Sequence, residues 1–260
     1  MTDRALLVFR VVLGAWLVGW FCNAPGFLEN FRDALAFPIV YDGLPGVLRD
    51  PRLSVAAYVA PALAAPALAD PTQKIARAAA ALLAAAALFE CFHMDTGSDA
   101  TFITSFWTAL WLSWFTAGAH RDDADFRIHA RALAQGVVGL MFLGAAVGKL
   151  TPEFYSGEAF YRLYFRDNAG WPYPYLKARL EPSTVRGLAT WFSRVAIGGE
   201  LTLAAAPLLP TRLCLGLGSL AMLVMMLAWT FHLASVLTGL FGLLAAATLL
   251  DQGIRGEGAT

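Results

Sequence analysis

Apolar runs of about 20 residues, the length that crosses a bilayer, recur along the chain between shorter polar stretches. The pattern predicts spans at Ala5–Phe21, Leu53–Ala69, Ile75–Phe92, Phe102–Ala119, Ala132–Leu150 and Leu188–Leu209. Leu213–Leu250 is nearly uncharged and too long for one crossing, so it predicts two spans that meet near His232–Gly239. The fold expected is all-α: a polytopic membrane helical bundle of about eight transmembrane helices, in one domain over residues 1–260. Pro61 and Pro66 should kink the second span.

Two longer polar regions interrupt the pattern, at about 23–53 and 151–187. In the first, Phe27, Leu28, Phe31, Leu35 and Phe37 alternate with Glu29, Asn30, Arg32 and Asp33, the signature of a short amphipathic helix on the membrane surface. In the second, Ser156 is placed to cap a short helix running to about Phe165, with Phe160, Leu163 and Tyr164 on one face. Asn168–Tyr175 is an aromatic, proline-bearing loop suited to the interface, and Tyr175–Leu180 predicts another short helix. The tail Asp251–Thr260 reads as polar and frayed.

Composition agrees with the pattern. Only 15% of residues are charged and 58% are hydrophobic, where soluble domains carry about 25% charged residues. The formal net charge is zero, so no nucleic-acid footprint is present. Cys22, Cys91 and Cys214 lack metal or redox spacing and read as small buried hydrophobes. Ala5–Phe21 is longer than a signal-peptide core and no small-x-small cleavage site follows, so it reads as a retained anchor. Arg121, Arg127 and Arg131 crowd His120–Arg131, whereas His93–Ala100 has no Lys or Arg. This bias predicts a multi-pass protein of the bacterial inner membrane with both termini cytoplasmic, and with Lys149 and His232 toward the outer side.

Chemistry concentrates where apolar runs carry charge. Lys149 ends the fifth span and is followed by a Thr-Pro break and a crowd of aromatics. It either snorkels to the headgroups or serves as a base in a water-poor cavity, where the neutral amine is favoured. Glu200 sits in mid-span after Gly198 and Gly199, where an unpaired carboxylate costs about 2.5 kcal/mol or more. Arg194 is too far along the same helix to pair with it, so the partner should be Lys149 or Arg10. His232 lies in an apolar run and is either a satisfied bundle histidine or a pocket group. Glu90 and Asp99 read as solvated or capping groups near the outer mouth. The aromatics Phe154–Tyr175 form an interfacial belt or roof a flat apolar cofactor, with Asp99, Tyr155 and Trp171 the candidate cofactor contacts.

Three segments carry a family resemblance. Leu7-Val-Phe-Arg10-Val-Val-Leu-Gly14 looks like the opening of the horizontally transferred transmembrane (HTTM) domain shared with the vitamin K-dependent γ-carboxylases. Phe142-Leu-Gly-Ala-Ala-Val-Gly-Lys149-Leu with Tyr155-Ser-Gly157 resembles that family's glycine–lysine–leucine, aromatic–x–glycine signature. Phe231-His232 followed by Gly239-Leu-Phe241 resembles its phenylalanine–histidine segment. The resemblance extends over about Ala5–Leu250, without the family's large lumenal domain. It departs at Gly97-Ser-Asp-Ala-Thr, where the family has an asparagine–histidine pair, and at His120-Arg-Asp-Asp-Ala-Asp, which replaces a tryptophan–serine–x–aspartate. The resemblance implies a membrane enzyme, carboxylase-like or oxidoreductase, in which Lys149 is the base that deprotonates a reduced, vitamin K-like quinone or another lipid-soluble small molecule. His232 and Glu200 would be polar groups of a pocket open to the outer side. The alternatives are a non-catalytic maturation or immunity partner of a secreted peptide, and a quinone-linked redox subunit or transporter of the DoxX-like kind.

Overall fold

The computed structural model describes residues 2–36, 45–93, 99–118, 123–166, 172–229 and 234–257. Among them the regular elements are all helical. The helices are α1 (Asp3–Cys22), α2 (Ala24–Ala36), α3 (Arg52–Ala64), α4 (Lys74–His93), α5 (Asp99–Gly118), α6 (Ala124–Gly148), the short α7 (Pro152–Tyr155) and α8 (Glu158–Phe160), α9 (Tyr173–Arg179), α10 (Pro182–Ala204), α11 (Thr211–Trp229) and α12 (Ala234–Glu257). Pro66 ends α3 in a tighter turn, Ala65–Leu68, and α8 continues as a wide-turned segment, Tyr161–Arg166.

Four of these helices are long and apolar enough to cross a bilayer: Asp3–Cys22, Lys74–His93, Ala124–Gly148 and Ser235–Ile254. Eight spans were expected; among the described residues four helices meet that length and apolarity, which supports the helical membrane bundle at that coarser level. Arg52–Leu68 is apolar, but at about 1.5 Å per residue it falls short of a hydrocarbon core about 30 Å thick. Helix α10 carries Arg186, Arg194 and Glu200 along its length. The four spanning helices turn apolar side chains outward, among them Leu7, Val18, Leu82, Leu140 and Phe241, as a lipid-facing surface requires.

The chain divides into two compact units, residues 1–134 with 234–260, and residues 135–233. In the first, α1 packs along α12 and α4 along α5. A methyl group at Gly242 would lie 2.6 Å from Ala15 Cβ, so glycine is what lets α1 and α12 approach. Helix α4 meets its neighbours through small side chains, Ala76, Ala80, Ala84 and Ala87, all buried. Indole and hydroxyl groups bind helices together: Trp16 Nε1 donates to the Ser105 carbonyl (2.7 Å), Trp111 Nε1 to the Ala130 carbonyl (3.1 Å), and Thr101 and Ser235 share a 2.9 Å bond. Trp20 and Tyr58 clasp each other, each side chain donating to the other's carbonyl at 2.9 and 2.8 Å.

The polar stretch His120–Arg131 is helical over most of its described part. Asp123 Oδ1 accepts from the Phe126 amide at 2.7 Å, which starts α6 well before Ala132. Arg131 then reaches Asp251 at 2.7 Å. Asp251 is buried and α12 runs to Glu257, so the tail is ordered to that point, contrary to the fraying expected.

In the second unit, Ser156 does not start a helix but ends one, as the C-cap of α7. Thr151 caps α7, accepting from the Phe154 amide at 3.2 Å, and Gly157, at φ 83°, precedes α8. A side chain at Gly157 would meet the Thr190 backbone at 2.5 Å, so glycine is required there twice over. Phe160, Tyr164, Phe165 and Tyr173 cluster as rings, but Leu163 is exposed rather than sharing their face. Burial pushes the Tyr173 hydroxyl up to about 12.

Candidate functional site

Helix α10 presents a polar stripe. Arg186, Thr190, Ser193 and Glu200 recur at helical spacing on one face. Residues 149–158 run antiparallel to that stripe, each contact stepping back along α10 as the chain advances. Lys149 meets Glu200, the Phe154 carbonyl accepts from Ser193, the Ser156 carbonyl accepts from Thr190 at 2.8 Å, and Glu158 meets Arg186 at 2.8 Å.

Lys149 closes the C-terminal end of α6. Its Nζ donates to Glu200 Oε1 at 2.7 Å, to Oε2 at 3.0 Å and to the Ala145 carbonyl at 3.2 Å. An ammonium group has three protons to donate, and three acceptors surround this one. The position also places positive charge where the helix dipole favours it. The Phe154 ring centroid is 5.8 Å from Nζ. The Glu200 side chain is 9% exposed and that of Lys149 26%, so the pair is largely withdrawn but reachable. Of the two partners foreseen for Glu200, the structure selects Lys149.

Beside the pair, α10 and α11 enclose a partly open apolar cleft of about 220 Å³, lined among others by Val195, Gly199, Leu203, Leu217 and Val224. The cleft reaches Gly199 but neither Glu200 nor Lys149 lines it.

Tyr155 is exposed, and its ring is covered by the Arg194 guanidinium at 4.6 Å, which also donates to the Tyr155 carbonyl at 3.4 Å. One ring face is therefore already occupied. Glu158 holds two guanidinium groups, Arg162 at 2.9 Å and Arg186 at 2.8 Å, and these hydrogen bonds keep its carboxyl below the ordinary carboxylate range. Asp99 is the first residue of α5, but its side chain lies outside the described structure, as do Trp171 and His232 entirely. Among the described residues no group of three His, Cys, Asp or Glu side chains could hold a metal ion.

Sequence reading singled out Lys149 and Glu200 but missed the Arg186–Thr190–Ser193 stripe that docks the intervening segment. Its signal is present in the sequence, since the polar positions recur at helical spacing, but none of them is a lone charge in an apolar run. Glu90, taken for a solvated or capping group, is fully buried. No family model, curated protein or solved structure matches this chain.

Proposed function

We propose that this is a multi-pass protein of the bacterial inner membrane, with both termini cytoplasmic, that exchanges a proton with a reduced quinone or similar lipid-soluble phenol. The observation that carries the reading is the Lys149–Glu200 pair, two charges from different helices joined at 2.7 Å and largely withdrawn from water. The sequence resemblance around Phe142–Gly157 supplies the substrate class.

Three acceptors surround the Lys149 Nζ, matching the three donors of an ammonium. The couple accepts a proton in either of two balanced ways. A quinol hydroxyl passes its proton to the Glu200 carboxylate and the phenolate is held by the Lys149 ammonium. Otherwise Lys149 first passes a proton to Glu200, and the neutral amine then takes the quinol proton as the base. Both routes end with the same charges, a neutral Glu200 and an ammonium facing a phenolate. The apolar cleft between α10 and α11, whose lining includes Gly199, next in sequence to Glu200, supports a ligand with a hydrocarbon tail.

The test is purification in mild detergent followed by mass spectrometry of co-extracted lipids. A near-stoichiometric quinone is expected from the native protein, with loss in Lys149→Met and Glu200→Gln. A well-folded native protein without quinone, unable to bind one added in excess, would overturn the reading. The second reading, a non-catalytic partner of a secreted peptide, is favoured by one observation: every donor of Lys149 is satisfied within the protein. It expects a peptide to copurify in place of a quinone and Lys149→Met to leave that capture unchanged.

A further inference from the structure

The first unit buries another acid, Glu90, and it differs from Glu200 and Asp251 in having no cation beside it among the described residues. Glu90 lies in the last turn but one of α4 and is 0% exposed. Neither carboxyl oxygen makes a hydrogen bond. Ser54, also 0% exposed, comes across from α3 close enough to interact with the carboxyl, yet its hydroxyl lacks the geometry of a hydrogen bond. His93 is 7% exposed and three residues further along α4, hence on the same side as Glu90. Its ring stacks on Phe89 at 4.4 Å and its Nε2 is unpartnered.

The groups around Glu90 can be named element by element. From α3 come Ser54 and the Tyr58 hydroxyl, which donates to the Trp20 carbonyl. From the end of α1 come Trp20 and, beside Tyr58, the Cys22 thiol. Residues 100–118 of α5, which packs along α4, hold no ionisable side chain. Among the described residues no Lys or Arg faces the carboxyl. A carboxylate here would sit in a water-poor interior with neither counter-charge nor donor, an arrangement that costs several kcal/mol. Buried polar groups are nearly always satisfied, so three unpartnered ones together, an acid, a hydroxyl and an imidazole, point to something they hold. Tyr58, which faces Glu90, stacks on buried Trp20, and Trp20 in turn packs on Trp16 and Phe102. The ligand that needs no cavity is the proton.

We infer that Glu90, with Ser54 and His93, forms a proton-binding site at the end of α4: the carboxyl holds the proton, the Ser54 hydroxyl faces it from α3, and His93 is the positioning residue through which it exchanges with water. This site does not rest on the quinol reading, which concerns Lys149 and Glu200.

Infrared difference spectroscopy on the full-length protein in detergent tests it. A protonated-carboxyl C=O band is expected at neutral pH, lost in Glu90→Gln and retained in Glu200→Gln. Deuterium exchange of that band should slow about tenfold in His93→Ala, while the band itself stays. Dicyclohexylcarbodiimide, which attacks protonated buried carboxyls, should label Glu90 in the unmodified protein, as mapped by mass spectrometry, so the answer survives a variant that fails to fold. Absence of both band and label at neutral pH overturns the site. So does suppression of labelling by sodium chloride but not by choline chloride at constant pH, since the ligand would then be a metal cation. An unchanged exchange rate in His93→Ala overturns the role of His93.

Discussion

Lys149 and Glu200 show what a charge costs when it leaves water. Each is tolerated because the other is within 3 Å, and removal of one strands its partner. Because the lysine side chain keeps a quarter of its exposure, the loss should be milder than for a fully buried pair. Lys149→Met and Glu200→Gln should each destabilise by about 2 kcal/mol, and the double replacement by less than the sum of the two. Thermal melts of the four proteins in one detergent measure the coupling. Glu158 makes a prediction with a sign. Its folded carboxyl titrates below the ordinary value of 4.5, first through the Arg162 bond and then through Arg186. The unfolded chain therefore takes up the proton sooner as the pH falls. The contribution of Glu158 is complete above about pH 4.5 and disappears as the pH drops through the lower folded value. Melting temperature recorded from pH 6 to about pH 3 should fall more steeply for the native protein than for Glu158→Gln.

At the scale of elements, helix contacts here depend on small residues and on hydrogen bonds between side chains and carbonyls, since lipid removes most of the hydrophobic drive for helices to associate. Gly242→Leu should force α12 from α1, because even a methyl group there meets Ala15 at 2.6 Å and the Val12 backbone beyond it. A loss of about 2–3 kcal/mol is expected, read as a lower melting temperature with helix content retained in far-ultraviolet circular dichroism. Element positions were largely legible in the amino-acid pattern. The predicted spans at Ala5–Phe21, Ile75–Phe92 and Phe102–Ala119 correspond to α1, α4 and α5 within a few residues. What was misjudged lay at polar ends. Arginines in 124–131 looked like a loop because charge density was weighed above the Asp123 cap, and Ser156 looked like an N-terminal cap because Gly157 was weighed only as motif.

At the scale of the molecule, the described residues carry four helices long and apolar enough to cross a bilayer, where hydropathy predicts eight crossings. That the chain is helical, rich in apolar length and suited to a bilayer was determined by the sequence itself, since hydropathy and helical period are properties of consecutive residues. That Glu200 needs a cationic partner was equally determined, because the cost of a lone charge depends only on its surroundings being apolar. Which cation answers it was decided by the tertiary structure, as was the absence, among the described residues, of one facing Glu90. A partner is set by the register in which two distant helices meet, and register is invisible to any local window. In the sequence Glu200 reads as a mid-span acid that needs a partner and Glu90 as a solvated or capping group. Packing puts an ammonium beside Glu200, and a hydroxyl and an imidazole near Glu90.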